Sequence, residues 1–443
     1  MVHYFIKTQN HGYRPYFYES YCNMRSLLRV FPNQFFASLA ILGLIVGLVT
    51  SKVVLSVATI MIMCNAIINL RIADNFKRWI GDTTSVLLIL LFLVYLLTGF
   101  YSDDTGYWID RCRMKLPFLA LPLGFTTVKT LTTKRFQQWL AVYFYVIFAA
   151  AIVVCINYFA HFDTLNANLS KGQPIPAPLR DHIRFSLEMA FAIVVGIYLW
   201  NNQFRFSNPK EKYLLLSGII FLVIFIHIFA VRSGIVTLYI AIIVMIFHWL
   251  FTKKAYLKGI IALVLLGAFG FSAVQFIPSL HSRMSYFQYE MDLIKKGELH
   301  PEHSDAQRLL SIEYGLQIAE KNPLLGVGVG DIKSEMDKLY NQSAGSEFVK
   351  SKLPHNQFVY FLAASGIIGF LVFLLSLLYP WVSKKRYKNM LYTVFLLIMV
   401  FSFMAEHTLE IQIGTAFYLL FLLLIKKYID DSQLPTVETK LNA

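Results

Sequence analysis

The sequence predicts an all-α polytopic membrane protein with about twelve transmembrane helices and one large extramembrane loop. Three observations carry that prediction. Of the 443 residues, 57% are hydrophobic and only 15% are charged, against roughly 25% charged in soluble domains, and the mean hydropathy is +0.56. The apolar residues gather in blocks long enough to cross a bilayer, about 17–25 residues each. The Lys and Arg behind the net charge of +14 sit mostly in short clusters between those blocks, as orientation in a membrane requires. No basic helix with interleaved aromatics occurs, so no nucleic-acid partner is expected.

The predicted spans are 34–51, 53–70, 84–101, 115–128, 136–160, 184–201, 212–231, 233–250, 257–276, 356–382, 390–406 and 410–426. The polar, aromatic segment 1–33 lacks a small-residue cleavage pattern, so the first span is expected to remain as an anchor. The fourth span is short and contains Pro117 and Pro122; an interfacial or re-entrant piece is the alternative there. Charge placement separates the two readings. If the piece crosses and the N-terminus is cytoplasmic, Arg71/Lys77/Arg78, Lys129/Lys134/Arg135, Arg205/Lys210/Lys212, Lys253/Lys254/Lys258, Lys384/Lys385/Arg386/Lys388 and Lys426/Lys427 all fall inside. If it does not, every later cluster opposes the early ones. An inside excess of Lys and Arg is the physical expectation, which favours twelve. The organisation is then a cytoplasmic segment 1–33, nine helices over 34–276, an outer loop 277–355, three helices over 356–428, and a cytoplasmic tail 429–443.

The loop has structure of its own. Ser304-Asp305 reads as a helix start, and Leu309, Ile312, Leu316 and Ala319 follow at helical spacing until Asn322-Pro323 stops the helix. Gly326-Val-Gly328-Val-Gly330-Asp331 reads as a glycine-rich turn, because a dinucleotide fingerprint needs glycine where Asp331 stands and a strand–helix setting. Cys22, Cys64, Cys112 and Cys155 are scattered, with neither a disulfide framework nor metal-type spacing.

Under this topology Arg184, Arg232, Arg308, His355 and Glu406-His407 share the outer face. Each has a plain structural reading beside a functional one. Arg232, between two apolar runs, is either an interfacial arginine that sets helix depth or a guanidinium for phosphate, whose fork matches phosphate oxygens. Arg308 is a solvated loop residue or a second such donor. Arg180 and Arg184 flank Asp181, and Arg184 is nearer the membrane. His355 stands where the loop re-enters the bilayer; it either bonds backbone and water or serves as a base for a hydroxyl. Asn356, Glu406, His407 and Glu410 line an acceptor pocket or form a hydrated turn. His300, Glu302, His303 and Asp305 could hold a metal or be solvated, and no Asp-rich motif points to Mg²⁺.

His355-Asn356, nine residues, then Gly366-Ile-Ile-Gly369 matches the pattern H[NSQ]-x9-G-x-x-G of the O-antigen ligase/O-antigen polymerase superfamily of bacterial envelope enzymes. Arg308 through Asn322-Pro323-Leu-Leu-Gly326-Val-Gly328 is similar to that superfamily's loop segment. Arg232-Ser-Gly-Ile-Val236 resembles its R-x3-L motif, with valine in place of leucine. The resemblance spans nearly the whole chain and is greatest to the ligase branch. It implies a GT-C-like architecture in the bacterial inner membrane, with the active site in the periplasm. It also implies metal-independent transfer of a glycan from undecaprenyl pyrophosphate to lipid A–core or another glycolipid. His355 would be the base, and Arg232, Arg308 and Arg184 would bind the pyrophosphate. A polymerase that joins lipid-linked repeat units is the nearest alternative. A transporter or flippase is a further one, disfavoured because such proteins place charges near mid-membrane.

Overall fold

The computed structural model describes residues 33–69, 71–296, 304–343 and 351–433. Cys22, the N-terminal segment to residue 32, His300, Glu302, His303 and the tail from residue 434 lie outside the described residues. All regular structure within them is helical.

Ser51 separates α1 (Asn33–Thr50) from α2 (Lys52–Ile67), and its hydroxyl caps α2 by accepting the Val53 N–H at 3.1 Å. A short amphipathic α3 (Ile72–Gly81) leads to α4 (Thr83–Leu97), capped by Asp82. Then come α5 (Thr105–Lys115), α6 (Pro117–Phe125), α7 (Thr133–Ala160), α8 (Phe162–Leu169), α9 (His182–Asn201), α10 (Glu211–Phe229), α11 (Arg232–Lys253) and α12 (Tyr256–Phe276). The loop contributes α13 (Pro278–Lys295), α14 (Ser304–Lys321) and α15 (Ile332–Ser343), and the chain closes with α16 (Gln357–Val382), α17 (Met390–Ala405) and α18 (Gln412–Ser432).

Eight of the described helices are long and apolar enough to cross a membrane; α1 and α17 are shorter apolar helices. Of those eight, α9 and α18 are the most deeply buried, and α12 is almost wholly peripheral. The centre is aromatic, with Phe191 and Phe421 4.9 Å apart, Tyr143 and Phe421 4.5 Å apart, and Phe395 against both phenylalanines. Such rings bury much apolar area per residue, so α9 and α18 serve as the posts around which the outer helices lean.

The doubtful fourth segment has a distinctive course. Helix α6 has only nine residues, about 14 Å of rise. Yet Lys115 Nζ meets Glu410 Oε1 at 2.8 Å just before α18, and the Leu131 N–H meets Asp431 Oδ2 at 2.8 Å near the end of α18. The segment between Lys115 and Leu131 therefore runs the length of α18. It is buried along α6, which lets neighbouring helices satisfy backbone that a proline-containing helix leaves open.

The loop helix α14 forms where the apolar spacing predicts it, and its inner face is set largely by small and aromatic residues. Leu309 and Leu316 of α14 are 47% and 42% exposed, whereas Ser311, Tyr314, Gly315 and Ile318 face inward. Gly315 decides this face. A Cβ there would stand 2.7 Å from Val359 and 2.8 Å from Pro354, so only glycine lets α14 lie against the start of α16.

Helix α16 is broken at Gly366 (φ +60, ψ −166), a conformation suited to glycine. The glycine-rich turn fills the break. Val327 and Gly328 N–H groups bond to the Ala363 and Ala364 carbonyls at 3.0 Å, and the Ile367 N–H bonds to the Pro323 carbonyl at 2.9 Å. Asp331, where a dinucleotide fingerprint would have glycine, accepts the Asp103 and Asp104 N–H groups at 2.9 Å each. A Cβ on Gly366 would lie 2.3 Å from the Leu324 carbonyl group, while one on Gly267 would touch nothing within 4 Å. Gly366→Val should therefore lower the melting temperature and the yield of folded protein sharply, with Gly267→Ala near wild type; thermal unfolding in detergent measures both.

Candidate functional site

Four chain segments bring charge together above the bundle. Arg232 is the first residue of α11. Arg184 lies in the first turn of α9, whose start Asp181 caps by accepting the Arg184 N–H at 3.1 Å. Arg308 lies in the second turn of α14, and Glu406 and His407 form the connection between α17 and α18.

The side chains alternate in sign. Arg232 offers a two-pronged fork to Asp305, Nη1 to Oδ2 at 2.8 Å and Nη2 to Oδ1 at 2.6 Å, with its guanidinium carbon 4.6 Å from the Phe287 ring centre. Arg308 Nη1 lies 3.8 Å from Asp305 Oδ1, and its Nη2 bonds to Glu406 Oε1 at 2.9 Å. Arg184 Nη2 is 3.8 Å from Glu406 Oε2 and its Nη1 is 3.6 Å from Asp181. The row is Arg232–Asp305–Arg308–Glu406–Arg184, so all three sequence-predicted arginines meet in one network. Arg184 is 6% exposed, and its Nε and Nη2 lack a hydrogen-bond partner among the described residues. A buried guanidinium with unsatisfied donors calls for an explanation, and an anion is one partner that would satisfy them. Arg283, from α13, lines the same small cleft with His182, Arg232 and Arg308.

His355 is held by Ser311. The Ser311 hydroxyl donates its one proton to the Arg308 carbonyl at 2.8 Å and accepts the His355 backbone N–H at 3.0 Å. Its oxygen is also 3.1 Å from His355 Nδ1. When the hydroxyl proton stays directed at the Arg308 carbonyl, Nδ1 is the donor to Ser311. That arrangement corresponds to the Nδ1–H tautomer, with the lone pair on Nε2, the form a base needs. His407 packs edge-on, with ring centres 5.4 Å apart, and its buried Nδ1 has no hydrogen-bond partner among the described residues.

Burial holds the His355 pKa below the usual histidine value; Glu406 pulls it up, while Arg308, Lys352 and Arg184 push it further down. Burial, with His355 beside it, takes His407 down to about 3. Burial would raise Glu406, but Arg184, His355 and Arg308 outweigh it and keep the carboxyl below its usual range. Neutral histidines thus sit beside an ionised carboxylate and fixed cations.

Two expected acceptor-pocket residues have other work in this geometry. Asn356 caps α16, its Oδ1 accepting the Phe358 and Val359 N–H groups, and its amide donates to the Met404 carbonyl at 3.1 Å. Glu406 bridges Arg308 and Arg184. Glu410 is 2% exposed, not part of a hydrated turn; Lys115, Tyr95 and Gln357 all bond to its Oε1.

Sequence reasoning missed Ser311, Arg283 and the bridging role of Asp305. Ser311 was findable, being three residues after Arg308 and on the same helix face; Arg283 sits in a polar stretch without periodicity and gave no signal. Among the described residues no group of three His, Cys, Asp or Glu side chains could hold a metal ion.

Residues 217–374 match the family model described as O-antigen ligase. No curated protein matches the chain. The matched stretch contains Arg232, Arg308, Ser311 and His355, and leaves out Arg184 and Glu406.

Because the Glu406 charge raises the His355 pKa, Glu406→Gln should make His355 titrate at still lower pH. Histidine-resolved NMR titration measures this; an unchanged or raised value would contradict the contact.

Proposed function

We propose, for a chain whose residues 217–374 match the family model described as O-antigen ligase, that it is a member of the O-antigen ligase/O-antigen polymerase superfamily and acts as an O-antigen ligase. It takes a glycan from undecaprenyl pyrophosphate and transfers it to lipid A–core, or another glycolipid, on the periplasmic face of the inner membrane. The observation that carries this reading is His355, held by Ser311 beside the arginine–carboxylate row.

Transfer needs two things from the protein. The leaving pyrophosphate gains charge as the bond to the anomeric carbon breaks, and guanidinium donors stabilise that charge. Arg232, Arg308 and Arg184 fill this role, with Arg283 at the cleft edge. The acceptor hydroxyl must lose its proton as it attacks, and His355 Nε2 accepts it. The new bond forms opposite the breaking one, which inverts the anomeric configuration. His355 is neutral near pH 7 because burial lowers its pKa, so the base form is the resting form.

Twelve crossings with both termini in the cytoplasm belong to this reading. What supports them is the course of Lys115–Leu131 along α18, together with the charge clusters between the spans. The 217–374 match does not separate ligase from polymerase, since both use the same donor.

Several outcomes follow. His355→Ala should lower transfer by roughly 10²–10⁴-fold while donor binding persists; wild-type transfer by the purified variant would remove the base assignment. Transfer should hold as pH falls through 6.5, the ordinary histidine value, and decline only below it, since protonation of Nε2 is what stops the reaction. Ser311→Ala should impair transfer by freeing the tautomer, and Ser311→Thr should restore it. Surface glycolipid from a deletion strain distinguishes the activities. Bare core with accumulated lipid-linked polymer marks a ligase, core with a single repeat unit marks a polymerase, and donor stranded in the cytoplasmic leaflet marks a flippase.

A further inference from the structure

The end of the bundle opposite His355 carries a second built feature. Between the start of α1, the α6–α7 connection and the end of α18 lies a pocket of about 1160 Å³. Its cations include Arg71, Arg78, Lys129, Arg135 and Lys427. Lys427 is paired with Asp431 at 3.1 Å. Arg78 bonds only to neutral oxygens, the Asn75 amide at 2.8 Å and the Asp74 carbonyl. Arg71, Lys129 and Arg135 make no ion pair among the described residues. Among the described residues the pocket is therefore a concentration of positive charge with few ion-pair partners.

The pocket continues into the membrane region. A second hollow of about 310 Å³ shares Gln34, Lys129 and Arg135 with it and descends between α1 and α7 to Ser38, Trp139 and Val142. Beside the pocket, α3 exposes Ile72, Phe76 and Ile80 at every fourth position, with Arg71, Lys77 and Arg78 in the same segment. That is the pattern of a helix lying in a bilayer interface, and it places the pocket at headgroup depth.

We propose that this surface binds an anionic phospholipid of the leaflet opposite the His355 face. The phosphate sits among Arg71, Lys129 and Arg135, and an acyl chain descends past Trp139 between α1 and α7. Charge complementarity selects the headgroup, and the hollow past Trp139 and Val142 selects a lipid over a free anion. The site lies across the membrane from the arginine–carboxylate row, so its test is independent of the proposed reaction.

The test uses the purified full-length protein in phosphatidylcholine nanodiscs doped with phosphatidylglycerol brominated on its acyl chains. Bromine quenches nearby tryptophan, and subtracting the Trp139→Phe signal isolates Trp139. Trp139 should be quenched at a lower mole fraction of brominated phosphatidylglycerol than of brominated phosphatidylcholine. The half-quenching mole fraction should rise roughly fivefold for each cation removed in Arg71→Gln, Lys129→Gln and Arg135→Gln. These side chains are exposed, so the single variants should fold, and unchanged melting temperatures check that. Equal quenching by the two lipids would overturn the proposal. Complete relief by inorganic phosphate would overturn it as well, in favour of a free-anion site.

Discussion

The row Arg232–Asp305–Arg308–Glu406–Arg184 fixes the relative placement of everything else at the outer end of the molecule. It ties the start of α11, the loop helix α14, the α17–α18 connection and the start of α9, none of them neighbours in sequence. Its members are partly to fully withdrawn from solvent, which strengthens each contact and makes an unpaired member costly. The carboxylates hold the guanidinium planes in place before any anion arrives. Binding then needs little reorganisation, which is how preorganised charge contributes to catalysis.

The histidine is attached to this row through one hydroxyl. Ser311 bonds to the Arg308 carbonyl, to the His355 backbone N–H and to His355 Nδ1. The same helix that positions Arg308 therefore orients the imidazole. Beneath it, Gly315 brings α14 against Pro354 and Val359, and Asn356 caps α16 while holding the Met404 carbonyl. His355 and the arginine row are thus registered by packing between the loop and the membrane helices, not by the loop alone.

Much of this was legible in the sequence. Hydropathy located the helices, because burial in lipid leaves little choice of residue, and charge clusters marked their ends. His355, Arg184, Arg232 and Arg308 were placed on one face by counting spans. The partners were less visible. Glu406 and Asp305 lie 98 and 73 residues from the arginines they bond, and no local periodicity encodes such pairing. The apolar spacing of α14 marked a helix but not its inner face, since Leu309 and Leu316 point outward while Gly315 dictates the contact. The spacing to Gly366 was visible as a motif, but its cause was not: the helix must break there to admit the backbone of residues 323–328.

The central claim is that His355 activates an acceptor hydroxyl for direct displacement of a pyrophosphate held by the arginine row. The anomeric configuration of the new glycosidic bond, read by NMR after a single turnover with donor of defined configuration, tests it most directly. Inversion is the predicted result. Retention would require a covalent or dissociated glycosyl intermediate, and would contradict the account.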